Sequence, residues 1–422
     1  MEKFLLGEKM QNIINYFLEY NRFIGLIGII AVLSIAFLFS KHKRKISIKL
    51  IFSALLFQGL LAYFILKTDC GLKIFSKIAD GFKALYEFSN EGVAFVFGKL
   101  ADTQGPWGMV FAIKVLPVII FFGALLSLLY HIGLVQILVK CFAFIIRPIM
   151  GTSGAETLSV VANSMLGQTE APLLVKNYIM RMTDSEMLTV MSSGMAHLSG
   201  ALLAAYGIMG VPVLHLLSAS IMAIPGAMLI AKILIPETEE PETLGSCKVS
   251  MERQSKNALD AIALGTTDGL KLAVNVGAML VAFISLVALI NYLMGAISGY
   301  FLAEPVTLST IFAKLFYWVA YVIGIPIQDC SKAGVLLGEK LVINEFFAYS
   351  HFVQFDLLAR TQAILTYALA GFSNFSSIGI QIGGIGAICP NKRDTLIKLG
   401  FYALLGGTLT NLLNAAIASL FI

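Results

Sequence analysis

Several apolar runs in this chain contain no charged side chain and are long enough to cross a lipid bilayer. Residues 23–40 and 50–66 form two such runs, and lysine or arginine residues flank both. A helix needs about 20 mostly apolar residues to cross the hydrocarbon core, where its backbone hydrogen bonds must all be internal. Only 13% of the residues are charged, about half the share in soluble domains. We therefore predict an all-α polytopic membrane protein.

Eight crossings are expected from the apolar runs. After the hairpin of 23–40 and 50–66, further spans are expected at 115–139, 272–303, 361–390 and 399–422, and two more within 187–231. The last stretch is too long for one helix and contains Gly210 and Pro212 near its middle.

The basic residues predict how the chain is oriented in the membrane. The loop at 41–49 contains five lysines and arginines, so the positive-inside rule places it in the cytoplasm and the N-terminus outside. Residues 1–22 and 68–106 are expected to lie at the membrane surface. The polar, proline-bearing segment 236–256 is predicted to be a cytoplasmic linker.

Charge and cysteine content exclude other classes of site. The excess of 30 lysines and arginines over 25 acidic residues is small, and no basic stretch carries interleaved aromatic residues, so no nucleic-acid partner is expected. The five cysteines show no C-x-x-C spacing, which argues against a zinc site or a disulfide framework.

Two further apolar stretches, 152–183 and 325–352, are interrupted halfway by polar residues. The interruptions contain Glu170 in one stretch and Glu345 in the other, and each half is only about a dozen residues long. That length predicts re-entrant hairpins. A charge at membrane depth costs at least ~2.5 kcal/mol, so both carboxylates need compensating partners, which a polar ligand could supply.

Similar motifs follow the two hairpins at similar distances. The chain runs 27 residues from Glu170 to His197 within GMAHLSG, and 29 residues from Glu345 to Asn374 within GFSNFSS. We infer an internal repeat whose copies cross the membrane an odd number of times and are therefore inverted, as in secondary transporters. The predicted units are N-terminal helices and scaffold spans at 1–135, a first transport repeat at 136–235, the linker at 236–256, a scaffold span at 257–303 and a second transport repeat at 304–422.

Three motifs resemble the signatures of the concentrative nucleoside transporters, in their short eight-span bacterial form. They are NSMLGQTEAP from Asn163, NEFFAY from Asn344 and GFSNFSS from Gly371. The resemblance covers nearly the whole chain from the first span. It implies a homotrimer in the bacterial inner membrane that carries nucleosides such as uridine inward by alternating access, driven by a sodium or proton gradient, without a covalent cofactor.

The resemblance also implies roles for individual residues. Gln168, Thr169 and Glu170 are expected to meet the nucleobase, with Leu202 as an apolar wall. The ribose hydroxyls are expected to meet Glu345, Asn374 and Ser377, with Phe372 beside the sugar. An amide next to a carboxylate suits the mixed donor and acceptor edge of a base, and an ionised carboxylate accepts from hydroxyls. None of these roles requires a bond to break.

The expected cation site departs from the family pattern at one position. Asn163 and the carbonyl group of Leu166 match it, but His197 occupies the place of a small hydroxyl residue, so that Leu198 and His197 would offer only their backbone carbonyl groups. Sodium prefers hard oxygen ligands, whereas imidazole exchanges protons near physiological pH. A sodium site using backbone carbonyls is favoured, with proton coupling through His197 and a neutral, hydrogen-bonded histidine as alternatives.

Two other classes of membrane protein were weighed against a carrier. An intramembrane enzyme would need a close acid dyad or a metal-ligand set, and the sequence has no H-x-x-x-H or G-x-G-D pattern. A passive channel would not require an inverted pair of interrupted hairpins, and it would not concentrate its substrate. We therefore expect a cation-coupled symporter rather than an enzyme.

Overall fold

The computed structural model describes Tyr16 and residues 21–102, 105–108, 110–244, 255–301 and 305–422. Most of the segment 1–22, and residues 245–254 of the predicted linker 236–256, therefore fall outside the described residues. All regular structure within the described ranges is helical. This confirms the all-α class.

The N-terminal part consists of three helices, α1 (Phe23–Leu38), α2 (Ile48–Lys67) and α3 (Asp69–Phe97). The first two agree with the predicted pair of spans. Ser47 ends the basic loop and caps α2, because its hydroxyl accepts a hydrogen bond from the backbone N–H of Leu50 at 3.3 Å. The third helix buries few side chains and lies along the predicted surface segment.

The predicted span at 115–139 is wrong as a single helix. The structure has α4 (Leu116–His131) and α5 (Leu134–Met150), separated at Gly133. Gly133 has φ +87, a left-handed conformation that glycine adopts without a steric penalty and that ends the helix. The residues that α5 buries, among them Val135, Val139 and Ile146, recur at helical spacing along one face.

The stretch predicted to be the first hairpin contains three elements, and a broken helix and a closing helix follow it. The first arm of this stretch is α6 (Gly154–Asn163). After the tip of the stretch come a short 3-10 turn at Ala171–Val175 and one helical turn at Lys176–Ile179. The next elements are α7 (Asp184–Ala196), α8 (Gly200–Ile208) and α9 (Val213–Leu234).

A buried ion pair joins the base of this hairpin to α9. Ser153 and Glu156 form a capping box at the start of α6, and Thr183 and Glu186 form one at the start of α7. The Lys232 ammonium lies 2.8 Å from the Glu156 carboxylate. The lysine therefore neutralises a carboxylate that is itself needed to cap a helix.

The second half begins with a 41-residue helix and then repeats the element order of the first half. Its helices are α10 (Ala258–Ser298), α11 (Leu308–Val322), α12 (Cys330–Val342), α13 (Glu345–Phe352), α14 (Ala359–Leu369), α15 (Phe375–Ile388) and α16 (Arg393–Ser419).

Three sequence expectations need correction in this half. The predicted span 272–303 begins earlier, at Ala258, because Asn257 caps the helix there through its side-chain oxygen. The predicted span 361–390 is two helices, α14 and α15. Helix α11 was not expected, because its 15 residues include Lys314 and are shorter than a full span.

Among the described residues, six helices are long and apolar enough to cross a membrane. This criterion therefore does not reproduce the predicted count of eight crossings. Three shorter apolar helices, Phe23–Leu38, Leu308–Val322 and Phe375–Ile388, lie beside them. Phe23–Leu38 and Phe375–Ile388 pack against α16, whereas Leu308–Val322 packs mainly against the shorter α12. Length alone therefore does not determine which of them cross.

Glycines allow two helix pairs to pack at backbone distance. A Cβ on Gly265 of α10 would lie 2.5 Å from the carbonyl oxygen of Gly123 on α4, and one on Gly269 would lie 2.8 Å from Ile120 Cα. In the other pair, a Cβ on Gly407 of α16 would lie 2.7 Å from Met195 Cβ on α7. Small residues at such crossings are typical of helix packing in membranes.

Candidate substrate and cation site

A cavity of about 480 Å³ lies where the interrupted elements of the two halves meet. The hairpin tip after α6 and the start of α13 contribute to its wall, together with the breaks between α7 and α8 and between α14 and α15. Helices α4 and α10 complete it. All eight residues predicted to bind substrate line this cavity: Gln168, Thr169, Glu170, Leu202, Glu345, Phe372, Asn374 and Ser377.

The two helix breaks touch each other at one glycine. Gly371, in the second break, has φ +141, which favours glycine, and a Cβ there would lie 2.7 Å from the carbonyl oxygen of Ala196 at the first break. After the breaks the helices restart under side-chain caps. The Ser199 hydroxyl caps α8, and the Asn374 side-chain oxygen caps α15.

Asn411 of α16 satisfies backbone groups that both breaks leave free. Its amide nitrogen donates to the carbonyl oxygens of Ala196 at 2.8 Å and Ala370 at 2.5 Å. Its oxygen accepts from the Lys340 ammonium at 2.7 Å and from the Ser373 hydroxyl at 3.1 Å. One buried amide thus ties the two halves together beside the cavity and meets the hydrogen-bonding requirement of unwound backbone.

The second carboxylate is held firmly in place. Glu345 is 5% exposed and is the first residue of α13, after the N-cap Asn344. One carboxylate oxygen accepts from the Tyr206 hydroxyl at 3.0 Å and the other from the Asn374 amide at 3.1 Å. The helix N-terminus favours negative charge here. Since an ionised carboxylate accepts about four hydrogen bonds, acceptor capacity remains for a ligand.

Asn374 links Glu345 to the serines of α15. The Asn374 oxygen accepts from the backbone N–H of Ser377 at 3.0 Å, from the Ser377 hydroxyl at 3.1 Å and from the Ser376 hydroxyl at 2.7 Å. These contacts fix the orientation of the Asn374 amide, so that its nitrogen faces Glu345. The group formed by Glu345, Asn374 and Ser377 is therefore rigid before any ligand arrives.

The first carboxylate is held more loosely. Glu170 is exposed to the cavity, and the Thr169 hydroxyl donates to it at 3.1 Å. Its side chain folds back over Gly167, where a Cβ would lie 2.1 Å from Glu170 Oε2. The neighbouring Gln168 is 7% exposed, and Leu202 is buried. The tip therefore presents an amide, a hydroxyl and a carboxylate within three residues.

The predicted cation residues lie together behind the first hairpin tip. Leu166 lines the cavity, whereas Asn163, His197 and Leu198 are buried beside it and do not line it. The Asn163 amide nitrogen donates to the Ser193 hydroxyl at 3.2 Å. The Asn163 oxygen is buried and has no hydrogen-bond partner within the described ranges.

The His197 ring turns toward α7. Its Nδ1 lies 2.8 Å from the carbonyl oxygen of Ser193, to which it donates, and 3.2 Å from the Ser193 hydroxyl. Its Nε2 is buried and has no partner among the residues that the structure describes. An unpartnered amide oxygen next to irregular backbone fits a small hard cation such as sodium. The imidazole itself would supply a nitrogen, so oxygen ligands at this position would have to come from the backbone.

Sequence reasoning missed four buried polar residues of the site: Tyr206, Lys340, Gln381 and Asn411. Tyr206 is the one hydrogen-bonding side chain of α8, whereas the other three lie in helices that carry further polar residues. In each case only the helix crossings show what the residue contacts. The available signal was a polar side chain within a largely apolar stretch, because burial in a membrane requires a hydrogen-bond partner.

Comparisons with known proteins give a consistent picture. Family descriptions match the chain in order: "Na+ dependent nucleoside transporter N-terminus" at residues 27–100, "Nucleoside recognition" at 112–212 and "Na+ dependent nucleoside transporter C-terminus" at 215–419. These matches confirm the resemblance that the three motifs indicated.

Individual relatives align over almost their full length. The uncharacterised transporter YutK of Bacillus subtilis is 40% identical over 94% of this chain and 99% of its own length. The nucleoside permease NupC of Helicobacter pylori is 39% identical over 96% of this chain and 98% of its own length. The structure of CNTnw in an inward-facing substrate-bound state superimposes with a TM-score of 0.90 at 40% identity, over 94% of this chain and 97% of that one.

Proposed function

The chain belongs to the sodium-dependent nucleoside transporter family, and we propose that it is a symporter that imports nucleosides such as uridine together with sodium. The chain is a transporter and not an enzyme, as its relatives are transporters and permeases. The observation that carries the proposal is the common cavity. Eight polar and apolar residues from both halves, from Gln168 to Ser377, line one space.

The two ends of the cavity suit the two parts of a nucleoside. Glu345, Asn374 and Ser377 form a rigid hydrogen-bonding group that is suited to ribose hydroxyls, with Phe372 packing beside the sugar. A ligand without those hydroxyls would leave a buried polar group unpaired, which disfavours binding.

The other end is suited to the base. There, Gln168, Thr169 and Glu170 offer both donors and acceptors, and Leu202 provides an apolar wall. Mixed donors and acceptors match the edge of a nucleobase. Because the Glu170 carboxylate has few partners in the protein, it is free to accept from a base N–H.

Sodium would be held by the Asn163 oxygen and by backbone oxygens of Leu166, His197 and Leu198. When bound, sodium supplies the positive charge that these oxygens lack. Asn163 ends α6, and Leu166 lies two residues before the base-binding tip. Ordering of these oxygens would therefore also order Gln168 and Glu170, and by linkage substrate would raise sodium affinity by the same factor.

Transport would proceed by alternating access. The two hairpins and the broken helices would move together across a scaffold that includes α4 and α10. In this arrangement both hairpins would be re-entrant and the two repeats would be inverted relative to each other. The chain would cross the membrane eight times, with the N-terminus outside and the basic loop at 41–49 in the cytoplasm. The cavity is lined by the first half of α10, from Leu264 to Met279, and by Ser255 just before it. It extends toward the linker side, which supports an inward-facing conformation.

We further propose a homotrimer in the bacterial inner membrane. Helix α10 carries strongly exposed apolar side chains along its length, among them Val281 at 71% and Ile297 at 64% exposure. Such a surface must face lipid or another subunit, and α10 buries little against its own chain. Mass measurement of the purified protein in detergent tests the trimer.

Proton coupling through His197 is the second candidate. The observation in its favour is the buried Nε2 of His197, which has no partner within the described part of the chain and is able to accept a proton. Sodium remains favoured because the Asn163 oxygen also lacks a partner and the family is sodium-dependent.

Uptake of labelled uridine into proteoliposomes separates these alternatives. An inward sodium gradient at constant pH should concentrate uridine above its external level, whereas a pH gradient at constant sodium should not. Concentration driven by the pH gradient alone would support the His197 mechanism. Equilibration without concentration under both gradients would indicate a channel and contradict symport.

A further inference from the structure

We propose that Gln381 of α15 is a positioning residue that fixes the amide orientation of Gln168, so that Gln168 offers the base a hydrogen-bond donor. The inference rests on the proposed function, because it assumes that Gln168 faces a nucleobase. Gln381 does not line the cavity and is fully buried. It would act on the ligand only through Gln168.

The orientation of Gln381 is determined by a backbone carbonyl. Its Nε2 donates to the carbonyl oxygen of Met191 on α7 at 2.9 Å. The reversed orientation would place Oε1 against that carbonyl oxygen, and two acceptors without a proton between them repel each other. Side-chain amide orientation is assigned from such partners, and the Met191 carbonyl favours this one, in which Gln381 Oε1 is buried without a partner in the described part of the chain.

The same nitrogen then determines the orientation of Gln168. Gln381 Nε2 uses its second proton to donate to Gln168 Oε1 at 3.2 Å. The oxygen of Gln168 is therefore engaged on the side away from the cavity. The hydrogen bond to Gln381 is the one found for the Gln168 side chain in the described part of the chain, and Gln168 lines the cavity. Gln168 consequently directs its two N–H donors, rather than its oxygen, toward a ligand.

Glycines make room for this contact. A Cβ on Gly194 of α7 would lie 2.6 Å from Gln381 Nε2 and 3.0 Å from Gln168 Cβ. One turn along α15 from Gln381, a Cβ on Gly384 would lie 2.3 Å from Thr169 Cγ2. The hairpin tip thus packs directly against α7 and α15. The hydrogen bonds that join Met191, Gln381 and Gln168 therefore have little freedom to rearrange.

This orientation restricts which base groups are recognised. The group facing Gln168 must be an acceptor, such as a carbonyl oxygen or an unprotonated ring nitrogen, and a group facing the Glu170 carboxylate must be an N–H donor. The uracil ring offers such a pair twice, because its N3–H lies between two carbonyl groups. We expect one of these two oxygens to accept from Gln168.

The test compares uridine with 2-thiouridine and 4-thiouridine, which keep N3–H and replace one oxygen each by sulfur, a weaker acceptor. Affinities are measured by titration calorimetry with the purified full chain in sodium buffer. The wild type should bind one of the two analogues about fivefold more weakly than uridine, and that analogue identifies the oxygen. Gln381→Met keeps the side-chain length but donates to neither partner. It should bind uridine about fivefold more weakly and lose the discrimination.

A purely structural role for Gln381 predicts a different pattern. If Gln381→Met weakens all three nucleosides equally, or keeps the wild-type ratio, the inference is overturned. It is also overturned if the wild type binds uridine without discriminating between the analogues. A wild type that binds no nucleoside would instead refute the proposed function itself, and the inference with it.

Two further variants keep the test decisive. Thermal unfolding midpoints report whether Gln381→Met is folded. If it is not, Gln381→Asn replaces it, because this side chain is one methylene shorter and does not reach both the Met191 carbonyl and Gln168. Loss of the affinity ratio between the thio analogue and uridine in Gln381→Asn supports the inference, and an unchanged ratio contradicts it. Gln168→Met should show the same loss, and combining it with Gln381→Met should add nothing further.

Discussion

Glu170 and Glu345 occupy matching places in the two halves of the chain, yet the protein holds them differently. Glu345 is 5% exposed and accepts hydrogen bonds from Tyr206 and Asn374, whereas Glu170 is exposed to the cavity and accepts from the adjacent Thr169. A ribose offers the same hydroxyls in every ribonucleoside, while bases differ. A carrier of several nucleosides is therefore suited by a rigid acceptor, Glu345, at the ribose end of the cavity and a less constrained acceptor, Glu170, at the base end.

The largest effect should come from neutralising the rigid end. Glu345→Gln removes a buried charge-assisted acceptor, and we expect uridine affinity to fall about 100-fold, measured by calorimetry. Wild-type protein should also bind 3′-deoxyuridine much more weakly than uridine, and the variant should lose this preference. Glu339→Gln, on the same hairpin but outside the cavity, serves as the control. An unchanged uridine affinity in Glu345→Gln would remove the ribose assignment.

The second effect concerns the cation residues behind the first hairpin. Asn163→Leu removes the unpartnered oxygen with little change in volume, so sodium should no longer increase uridine affinity. We expect the uridine affinity of the wild type to rise about 30-fold between sodium-free and saturating sodium buffers. The uridine affinity of the variant should be the same in both buffers. Ser220→Ala is the control, because that hydroxyl donates to the nearby Ser164 carbonyl oxygen. Full sodium stimulation in Asn163→Leu would contradict the proposed ligand set.

The positions of Glu170 and Glu345 were predictable because a charge within an apolar run signals a required partner. These two carboxylates and the other six predicted substrate residues line one cavity. Tyr206, Gln381 and Asn411 were not predictable, since nothing local shows which backbone or side chain they meet. Each of them has a partner that lies between 139 and 215 positions away along the chain, and helix crossings bring these pairs together.

Short helices were the other failure of sequence reasoning. Helix α5 was merged with α4 because the apolar run continues through Gly133, whose backbone ends the helix without any change in hydrophobicity. Helix α11 was missed because it is shorter than a membrane span. A hydropathy pattern does not reveal the backbone conformation of one glycine. It also does not reveal how short helices pack against each other.

The third effect concerns the less constrained end and should depend on the base. Glu170→Gln replaces an acceptor by a group that also donates, so uridine affinity should fall about tenfold while affinity for cytidine changes less. Competition binding with both nucleosides measures the ratio. Discrimination against 3′-deoxyuridine should persist. If Glu170→Gln abolished that discrimination instead, the division between base and ribose ends would be wrong.

The smallest effect should come from the partner that fixes Glu345. Tyr206→Phe removes the hydroxyl that donates to Glu345 and should weaken uridine binding about threefold. Tyr349→Phe is a matched control, because that ring packs 4.6 Å from the Tyr206 ring, centroid to centroid, while its hydroxyl donates to the Thr366 carbonyl oxygen. Both variants should lose similar thermal stability. Equal losses of uridine affinity in the two would show that Tyr206 acts through packing alone.

The central claim is that the two hairpins bind opposite ends of one nucleoside, and locating a bound ligand tests it most directly. Crystals grown with 5-iodouridine allow the base to be placed by the anomalous scattering of iodine. We predict a base ring beside Gln168 and Glu170, with ribose oxygens at hydrogen-bond distance from Glu345 and Asn374. A nucleoside bound outside this cavity, or contacting only one of the two hairpins, would contradict the claim.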